Sequence, residues 1–485
     1  MPGPAVLDVV RSPRTLRIGS LDRDTESGFA VLDPATDAEL AIVPDAGAAH
    51  AGLAADAAAA ALVEWGASAP RRRSEILVEA FRLMKERELE LAALISAESG
   101  KAPDDARAEV AYAAEFFRWF GEEAVRSEGR YVTAPDGRST TVVTSQPVGV
   151  AYLVTPWNFP AAMITRKVAP ALAAGCTMVV KPAAETPLTA LALADLLGEA
   201  GLPPGVLTVL PTTRPGEVTD VLLAHDAVRK LSFTGSTAVG RHLLRAAAGR
   251  VVNCSMELGG NAPFVVCADA DLDAAVAGAM VAKLRNAGQA CTAANRFFVH
   301  SAVLDEFVER LTVPFTGRRI GPAADEGTDV GPLIDHRAVA RITALVGAAV
   351  ENGADEAHPP SAVPAHGSFL APRIIRNVAA DADLATEEIF GPVAPVIGWN
   401  DEAEMLRAAN ATEFGLAGYV FAGDTHHAVA LGRALQCGMV GVNRGVVSDP
   451  AAPFGGMKQS GLGREGSHEG LAAFQETQFL SVAAG

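Results

Sequence analysis

Val148-Gly149-Val150-Ala151-Tyr152-Leu153-Val154-Thr155-Pro156-Trp157-Asn158-Phe159-Pro160 decides how the chain is read. An apolar run of strand length stops at a proline-bounded turn, and a helix-length segment, 160–174, follows it. The same beat continues downstream. Strand-like runs at 177–181, 205–210 and 229–233 alternate with helix-length segments at 187–201, 215–224 and 237–249. Alternation of this kind predicts parallel strands joined by crossover helices, a doubly wound α/β domain. A second α/β series begins near Asn261 and runs to about 440. No internal repeat of 20–50 residues interrupts either series.

Upstream, residues 1 to about 45 read as an arm with short strands. The stretch from Asp45 to Gly100 has helical periodicity, with an alanine-rich run at 49–62 and Ser74 as an N-cap before Glu75-Ile76-Leu77-Val78-Glu79-Ala80. A further helix fits 103–126. Two β-rich runs between Tyr131 and Thr144 flank Pro135-Asp136-Gly137 and predict a hairpin. The tail, Phe474 to Val482, reads as one more strand, free to pack on a neighbouring subunit.

The chain has 485 residues, enough for two or three domains, with 49% apolar and 20% charged residues. Net charge is −17 and no basic run offsets it, which argues against a nucleic-acid or anionic-membrane surface. Cys176, Cys254, Cys267, Cys291 and Cys437 are scattered without CxxC spacing, so neither a disulfide framework nor a zinc site is expected, and a reducing cytoplasm suits them. The histidines show no metal-ligand spacing; His426-His427 reads as a surface pair at a helix start. Residues 1–15 hold no sustained apolar leader, and no apolar run reaches membrane-spanning length.

Seven short stretches carry possible chemistry, each with a plainer alternative. Arg285-Asn286-Ala287-Gly288-Gln289-Ala290-Cys291-Thr292 follows a helical segment, Leu272 to Leu284, and small neighbours leave Cys291 open to approach; it is a reactive thiol or a small core residue. Glu257, before Leu258-Gly259-Gly260, puts a carboxylate at an apolar strand end, costly without a partner or a task. Asn158 offers an amide donor to an oxyanion, or makes an Asx turn. Gly235-Ser236, in Phe233-Thr234-Gly235-Ser236-Thr237-Ala238-Val239-Gly240, opens a helix after a strand and presents N–H groups to a phosphate, or is only a turn. Lys181, before Pro182-Ala183-Ala184-Glu185-Thr186-Pro187, reaches a ribose or phosphate, or is solvated. Glu387-Glu388-Ile389-Phe390-Gly391-Pro392-Val393 and Pro453-Phe454-Gly455-Gly456-Met457-Lys458-Gln459-Ser460-Gly461 pass alone as loops.

Together and in this order, these stretches resemble the NAD(P)-dependent aldehyde dehydrogenases from about residue 20 to 480. The resemblance implies an aldehyde dehydrogenase-like fold: a cofactor-binding domain at 1–126 and 145–256, a catalytic domain at 257–440, and a small β bridging element at 127–144 and 441–485. It implies Cys291 as the nucleophile that forms a thiohemiacetal and then a thioester. Asn158 and the Cys291 backbone N–H become the oxyanion hole, Glu257 the general base, and Lys167 a member of a proton relay. Lys181 is implied to bind the adenosine ribose, Gly235 and Ser236 the pyrophosphate side, and Glu388 the nicotinamide ribose. Trp157, Leu258 and Phe390 line the cofactor cleft. Ala184 stands where many NAD-preferring relatives carry a glutamate, so NADP is the expected cofactor with NAD possible; neighbouring Glu185 keeps a ribose contact open.

Within the family, Ala162-Met163-Ile164-Thr165-Arg166-Lys167-Val168 and Lys283-Leu284-Arg285-Asn286-Ala287-Gly288-Gln289 resemble the succinate-semialdehyde dehydrogenases. Arg166 and Arg285 match that group's arginines for the substrate's far carboxylate, a task suited to planar, fixed-charge donors. Ser448 falls where the group has a hydroxyl contact, and Phe454 packs on the substrate's methylenes. Ala293 removes the second cysteine that some members carry for a regulatory disulfide. A broad aldehyde dehydrogenase and a non-catalytic member of the fold are the alternatives. No metal is expected, and a homodimer or homotetramer is implied.

Overall fold

The computed structural model describes residues 15–483. The amino-terminal residues in which no leader is expected fall almost wholly outside that range. Two antiparallel ribbons, β1 (Thr15–Ile18) with β2 (Leu21–Asp24) and β3 (Gly28–Leu32) with β4 (Glu39–Pro44), open the described chain. Four helices follow: α1 (Ala48–Gly66), α2 (Pro70–Glu86), α3 (Glu88–Ser99) and α4 (Pro103–Glu123). The start expected at Ser74 is corrected here. Helix α2 begins five residues earlier, with Pro70 in its first turn and Ala69 as N-cap, and Ser74 is buried inside it. Proline at the first helical position forfeits no hydrogen bond and presets φ, and this outweighed a serine whose hydroxyl had only a capping argument. Strands β5 (Arg130–Thr133) and β6 (Ser139–Pro147) form the expected hairpin.

The first parallel series is β7 (Val150–Val154), α5 (Ala162–Ala174), β8 (Thr177–Lys181), α6 (Pro187–Glu199), β9 (Leu207–Val209), α7 (Pro215–Ala224), β10 (Val228–Thr234), α8 (Thr237–Ala248) and β11 (Asn253–Glu257). All five residues of β7 are buried, as a strand covered on both faces requires. Val150, Tyr152 and Val154 join one core, Ala151 and Leu153 the other. Strand order β9-β8-β7-β10-β11 reverses between β7 and β10, with short antiparallel β19 (Gly461–Leu462) at the edge.

The second series is β12 (Ala262–Val266), α9 (Leu272–Leu284), β13 (Ala294–His300), α10 (Leu304–Thr316), α11 (His336–Glu351), β14 (Asp355–Glu356), β15 (Arg373–Arg376), α12 (Asp383–Thr386), β16 (Val393–Trp399), α13 (Glu402–Asn410), β17 (Ala417–Phe421), α14 (Thr425–Ala434) and β18 (Met439–Val442). They form a seven-stranded sheet, ordered β14-β15-β16-β13-β12-β17-β18. Phe264 sits at its centre, stacked on Phe421 at 4.9 Å and tilted against Phe297 and Tyr419. His426 and His427 open α14 under the Asp424 cap.

After the short helix α15 (Ser467–Ala472), the tail strand β20 (Gln475–Ala483) pairs along its whole length with β6, so the expected tail strand closes a three-stranded sheet within its own chain. The chain crosses between the large sheets at Leu258-Gly259-Gly260-Asn261. The carboxyl end of β11 therefore faces the amino edge of β12 and β13.

Removing the Phe264 ring takes away the centre of this packing. Phe264→Ala should cost about 3–5 kcal/mol and lower the melting temperature by several degrees in differential scanning calorimetry.

Candidate active site

Three strand ends build one wall of a cleft. Strand β7 ends in Thr155-Pro156-Trp157-Asn158, β10 in Thr234-Gly235-Ser236, and β11 in Glu257-Leu258-Gly259. The carboxyl edge at the reversal of strand order is where doubly wound sheets receive ligands. The opposite wall comes from the second sheet: the turn before β13 and the loop before β16. The cleft, about 210 Å³, is lined by Trp157, Asn158, Gly235, Ser236, Glu257, Leu258, Cys291, Glu388 and Phe390 together with Met163 and Thr234. Nine residues singled out in the sequence thus share one cavity. Trp157 and Phe390 meet edge to face at 5.4 Å across it.

The turn that delivers Cys291 is unusual. Asn286 (φ 54°), Ala287 (φ 52°) and Gly288 (φ 77°) are successively left-handed, a conformation non-glycine residues seldom adopt. A Cβ on Gly288 would lie 2.2 Å from the Gly391 carbonyl oxygen. Asn286 staples the turn. Its backbone N–H donates to Asp105 Oδ2 (2.8 Å), and its Nδ2 donates to the Asn158 carbonyl (2.8 Å) and the Gln289 carbonyl (3.1 Å). Gly260 packs so close that a Cβ there would sit 2.4 Å from the Cys291 carbonyl. Asn158 Nδ2 donates to the Gln289 carbonyl at 3.0 Å, while its Oδ1 is buried and unpaired.

Burial pushes the Cys291 thiol up to about 12, with Glu388 and Glu257 adding to the rise and Arg166 and Arg285 opposing it. Both oxygens of Glu257 are buried without a hydrogen-bond partner. Burial, and then the Glu465 carboxylate, raise its pKa well above the usual range; Lys167, Arg166 and Arg464 pull the other way. Lys167 Nζ donates to Ser232 Oγ (2.9 Å) and pairs with Glu465 Oε1. Glu465 was missed in the sequence. Its signal was a single acidic residue in Gly461-Leu462-Gly463-Arg464-Glu465-Gly466, directly beyond the last motif. Lys101, Asp105, Glu109 and Tyr112 also escaped notice, because charged and aromatic residues early in a helix read as an ordinary amphipathic face.

Arg166 is fully buried in α5. Its Nη2 donates to Tyr112 Oη (2.6 Å), its guanidinium lies 3.9 Å over the Phe454 ring, and its Nε is 3.7 Å from Glu465 Oε2. Nε and Nη1 have no hydrogen-bond partner. Arg285 Nη2 donates to Thr292 Oγ1 at 3.4 Å, and its guanidinium lies 5.2 Å from the Phe159 ring. Arg285 also lines a second, small opening with Ala290, Thr292, Tyr419 and Val447. The 290–292 segment therefore borders an opening on each side. Ser448 is half-buried one residue past Val447.

Lys181 and Ala184 lie at the end of β8, beyond the residues that line the Cys291 cavity. Lys181 Nζ donates to the Pro182 carbonyl at 2.8 Å, and burial pulls the ammonium down to about 8, with Glu185 opposing. Ala184 is half-buried and Glu185 exposed. Glu388 Oε1 accepts from the Gly260 N–H (3.1 Å), and burial pushes its carboxyl up to about 7. The residues present fit a dinucleotide. Ser236 caps α8, whose first N–H groups face the cleft wall. A Cβ on Gly235 would strike the Phe233 ring at 2.5 Å, and the buried Thr234 Oγ1 has no partner. Among the described residues, no cluster of three or more His, Cys, Asp or Glu is placed to hold a metal.

The model of the aldehyde dehydrogenase family matches residues 21–480. The chain belongs to the aldehyde dehydrogenases. A succinate-semialdehyde dehydrogenase of Paenarthrobacter nicotinovorans is 49% identical over 92% of this chain and 99% of the relative. The NADP(+) succinate-semialdehyde dehydrogenase GabD of Escherichia coli is 46% identical over 95% and 96%. The crystal structure of succinate-semialdehyde dehydrogenase from Burkholderia pseudomallei superposes with a TM-score of 0.96 at 43% identity, covering 100% of both chains. The two doubly wound sheets and the small third sheet are the fold of this family, and the chain is an enzyme of aldehyde oxidation.

For an aldehyde dehydrogenase whose resting thiol is held this high, alkylation of Cys291 by iodoacetamide without cofactor should climb about tenfold per pH unit through pH 9 with no plateau. Peptide mass spectrometry reads the rate. A plateau near pH 7 would mean a preformed thiolate.

Proposed function

We propose that this enzyme oxidises a small ω-carboxy aldehyde, succinate semialdehyde, to the dicarboxylic acid, with NADP preferred and NAD accepted. The observation that carries the substrate class is Arg166. A buried cation with two unpaired N–H groups, close enough to Cys291 to act on its ionisation, supplies what a carboxylate at the far end of a short aldehyde needs. Arg285 adds a second charge, Phe454 a face for the methylenes, and Ser448 a nearby hydroxyl. The two similar curated enzymes carry the same substrate in their names.

In this reading Cys291 loses its proton to Glu257 directly or through water, and its sulfur adds to the aldehyde carbonyl. The Asn158 amide and the Cys291 backbone N–H hold the developing oxyanion. The bound dinucleotide supplies the hydride acceptor. Glu257 then takes a proton from the water that attacks the thioester carbon, and the acid leaves as the thiol reforms. Lys167, paired with Glu465, stands beside Glu257 and receives or returns protons. Gly235 and Ser236 hold the pyrophosphate side, Lys181 the adenosine ribose or its 2′-phosphate, and Glu388 the nicotinamide ribose. Trp157, Leu258 and Phe390 close around the rings, and Ala184 leaves space where a carboxylate would repel a phosphate.

The domain division follows: 1–126 and 145–256 for cofactor, 257–440 for catalysis, 127–144 and 441–485 for bridging. Exposed Tyr131, Val132, Phe479 and Leu480 on the three-stranded sheet support a homo-oligomer formed across it. The free cysteines suit a reducing cytoplasm, and no helix among the described residues is long and apolar enough to cross a membrane.

Steady-state assays with succinate semialdehyde and an uncharged aldehyde of equal length test the substrate. Arg166→Leu should lower kcat/KM for the charged aldehyde by about 10- to 100-fold and leave the uncharged one within a few-fold. Equal losses on both would discard the carboxylate role. Cofactor binding should be pH-dependent with a definite sign. The Lys181 ammonium is charged below about pH 8, so NADP affinity by calorimetry should weaken as pH rises through about 8, and NAD affinity should change less.

A further inference from the structure

Beside the apolar stripe that α4 buries as an amphipathic helix normally does, with Ala106, Val110, Ala113, Phe117 and Phe120 in it, runs a second row that carries charge. Asp105, Glu109, Tyr112 and Phe116 recur at i, i+4, i+7 and i+11, and Lys101 precedes them in the turn that enters the helix. Lys101 and Glu109 form an ion pair with both side chains wholly buried. Stability alone does not account for such a pair, since hydrophobic residues of similar volume serve at least as well.

What the face touches does account for it. Lys101 Nζ donates to the Asn158 carbonyl at 3.0 Å. Glu109 Oε1 accepts from the backbone N–H groups of Ala161 (2.8 Å) and Ala162 (3.2 Å), where α5 begins. Asp105 Oδ2 accepts from the N–H of Asn286, and the Asn286 side chain donates to that same Asn158 carbonyl. One helix face thus grips the turn carrying the amide donor, the start of the helix carrying Arg166 and Lys167, and the left-handed turn carrying the nucleophile. Tyr112 continues the pattern by holding the Arg166 guanidinium.

We propose that this charged face fixes the distance between the Asn158 amide and the Cys291 sulfur, making Asp105 and Glu109 positioning residues for acyl transfer. The inference rests on the roles given above to Asn158 and Cys291. Asp105 is the sharper case. Its carboxylate is the partner of the Asn286 N–H, and Asn286 and Ala287 hold φ values that an unsupported turn would abandon. Relaxation to right-handed values would swing Gln289 and Cys291 away from Asn158.

The full-length enzyme with succinate semialdehyde and NADP tests this. Asp105→Ala should lower kcat by about 10- to 100-fold, the scale of a displacement near 1 Å, with KM and cofactor Kd within about threefold. Asp105→Asn keeps an oxygen for the Asn286 N–H and should recover to within about fivefold of the parent kcat, which a lost charge or a general weakening of the fold would not produce. Asp104→Ala, an exposed neighbour, should match the parent. If Asp105→Ala does not fold, Asn286→Ala takes its place and should show the same kcat-selective loss. Full kcat in Asp105→Ala or Asn286→Ala, or an Asp105→Asn enzyme as slow as Asp105→Ala, overturns the proposal. Cys291→Ala separates the two levels: turnover retained there removes the thiol reading itself, whereas an inactive Cys291→Ala beside a full-rate Asp105→Ala removes only the positioning role.

Discussion

Two acids held protonated by burial share one cleft, and much of the molecule is arranged around that fact. Cys291 and Glu257 each have a pKa raised by burial, and neither oxygen of Glu257 is hydrogen-bonded. Left alone, such groups stay neutral and inert. The surrounding cations, Arg166, Lys167, Arg285 and Arg464, moderate the rise without neutralising either group by direct contact. The outcome is a thiol that stays protonated at rest and gives up its proton when Glu257, in its carboxylate form, accepts it as a substrate enters.

The architecture makes this possible by facing two sheets end to edge. The carboxyl ends of β7, β10 and β11 supply amide, helix terminus and carboxylate, while the amino edge of the second sheet supplies the sulfur. Glycines at 259 and 260 let the crossing strand pass within touching distance of Glu388 and the Cys291 carbonyl. A side chain at either point would wedge the two walls apart.

Much of this was legible in the sequence. The strand–helix beat from Val148 onward reported the first sheet because parallel strands buried on both faces carry unbroken apolar runs. The residues at their carboxyl ends, Asn158, Gly235 and Glu257, stood out as polar or small residues stopping such runs. The start of α2 was misplaced at Ser74 because a capping hydroxyl was weighed above Pro70. The charged inner face of α4 and Glu465 were illegible for a different reason. Apart from the Lys101–Glu109 pair, the partners cited for them lie between 52 and 298 positions away in sequence, so no local pattern separates a buried Glu109 from a solvated one.

The most direct test traps the intermediate that joins the two acids. Glu257→Gln, mixed with succinate semialdehyde and NADP and quenched in acid, should carry one acyl group on Cys291 by intact-protein and peptide mass spectrometry, with steady-state turnover nearly lost. An unmodified Cys291, acyl groups on another residue, or turnover at the parent rate would contradict the pairing of this thiol with this carboxylate.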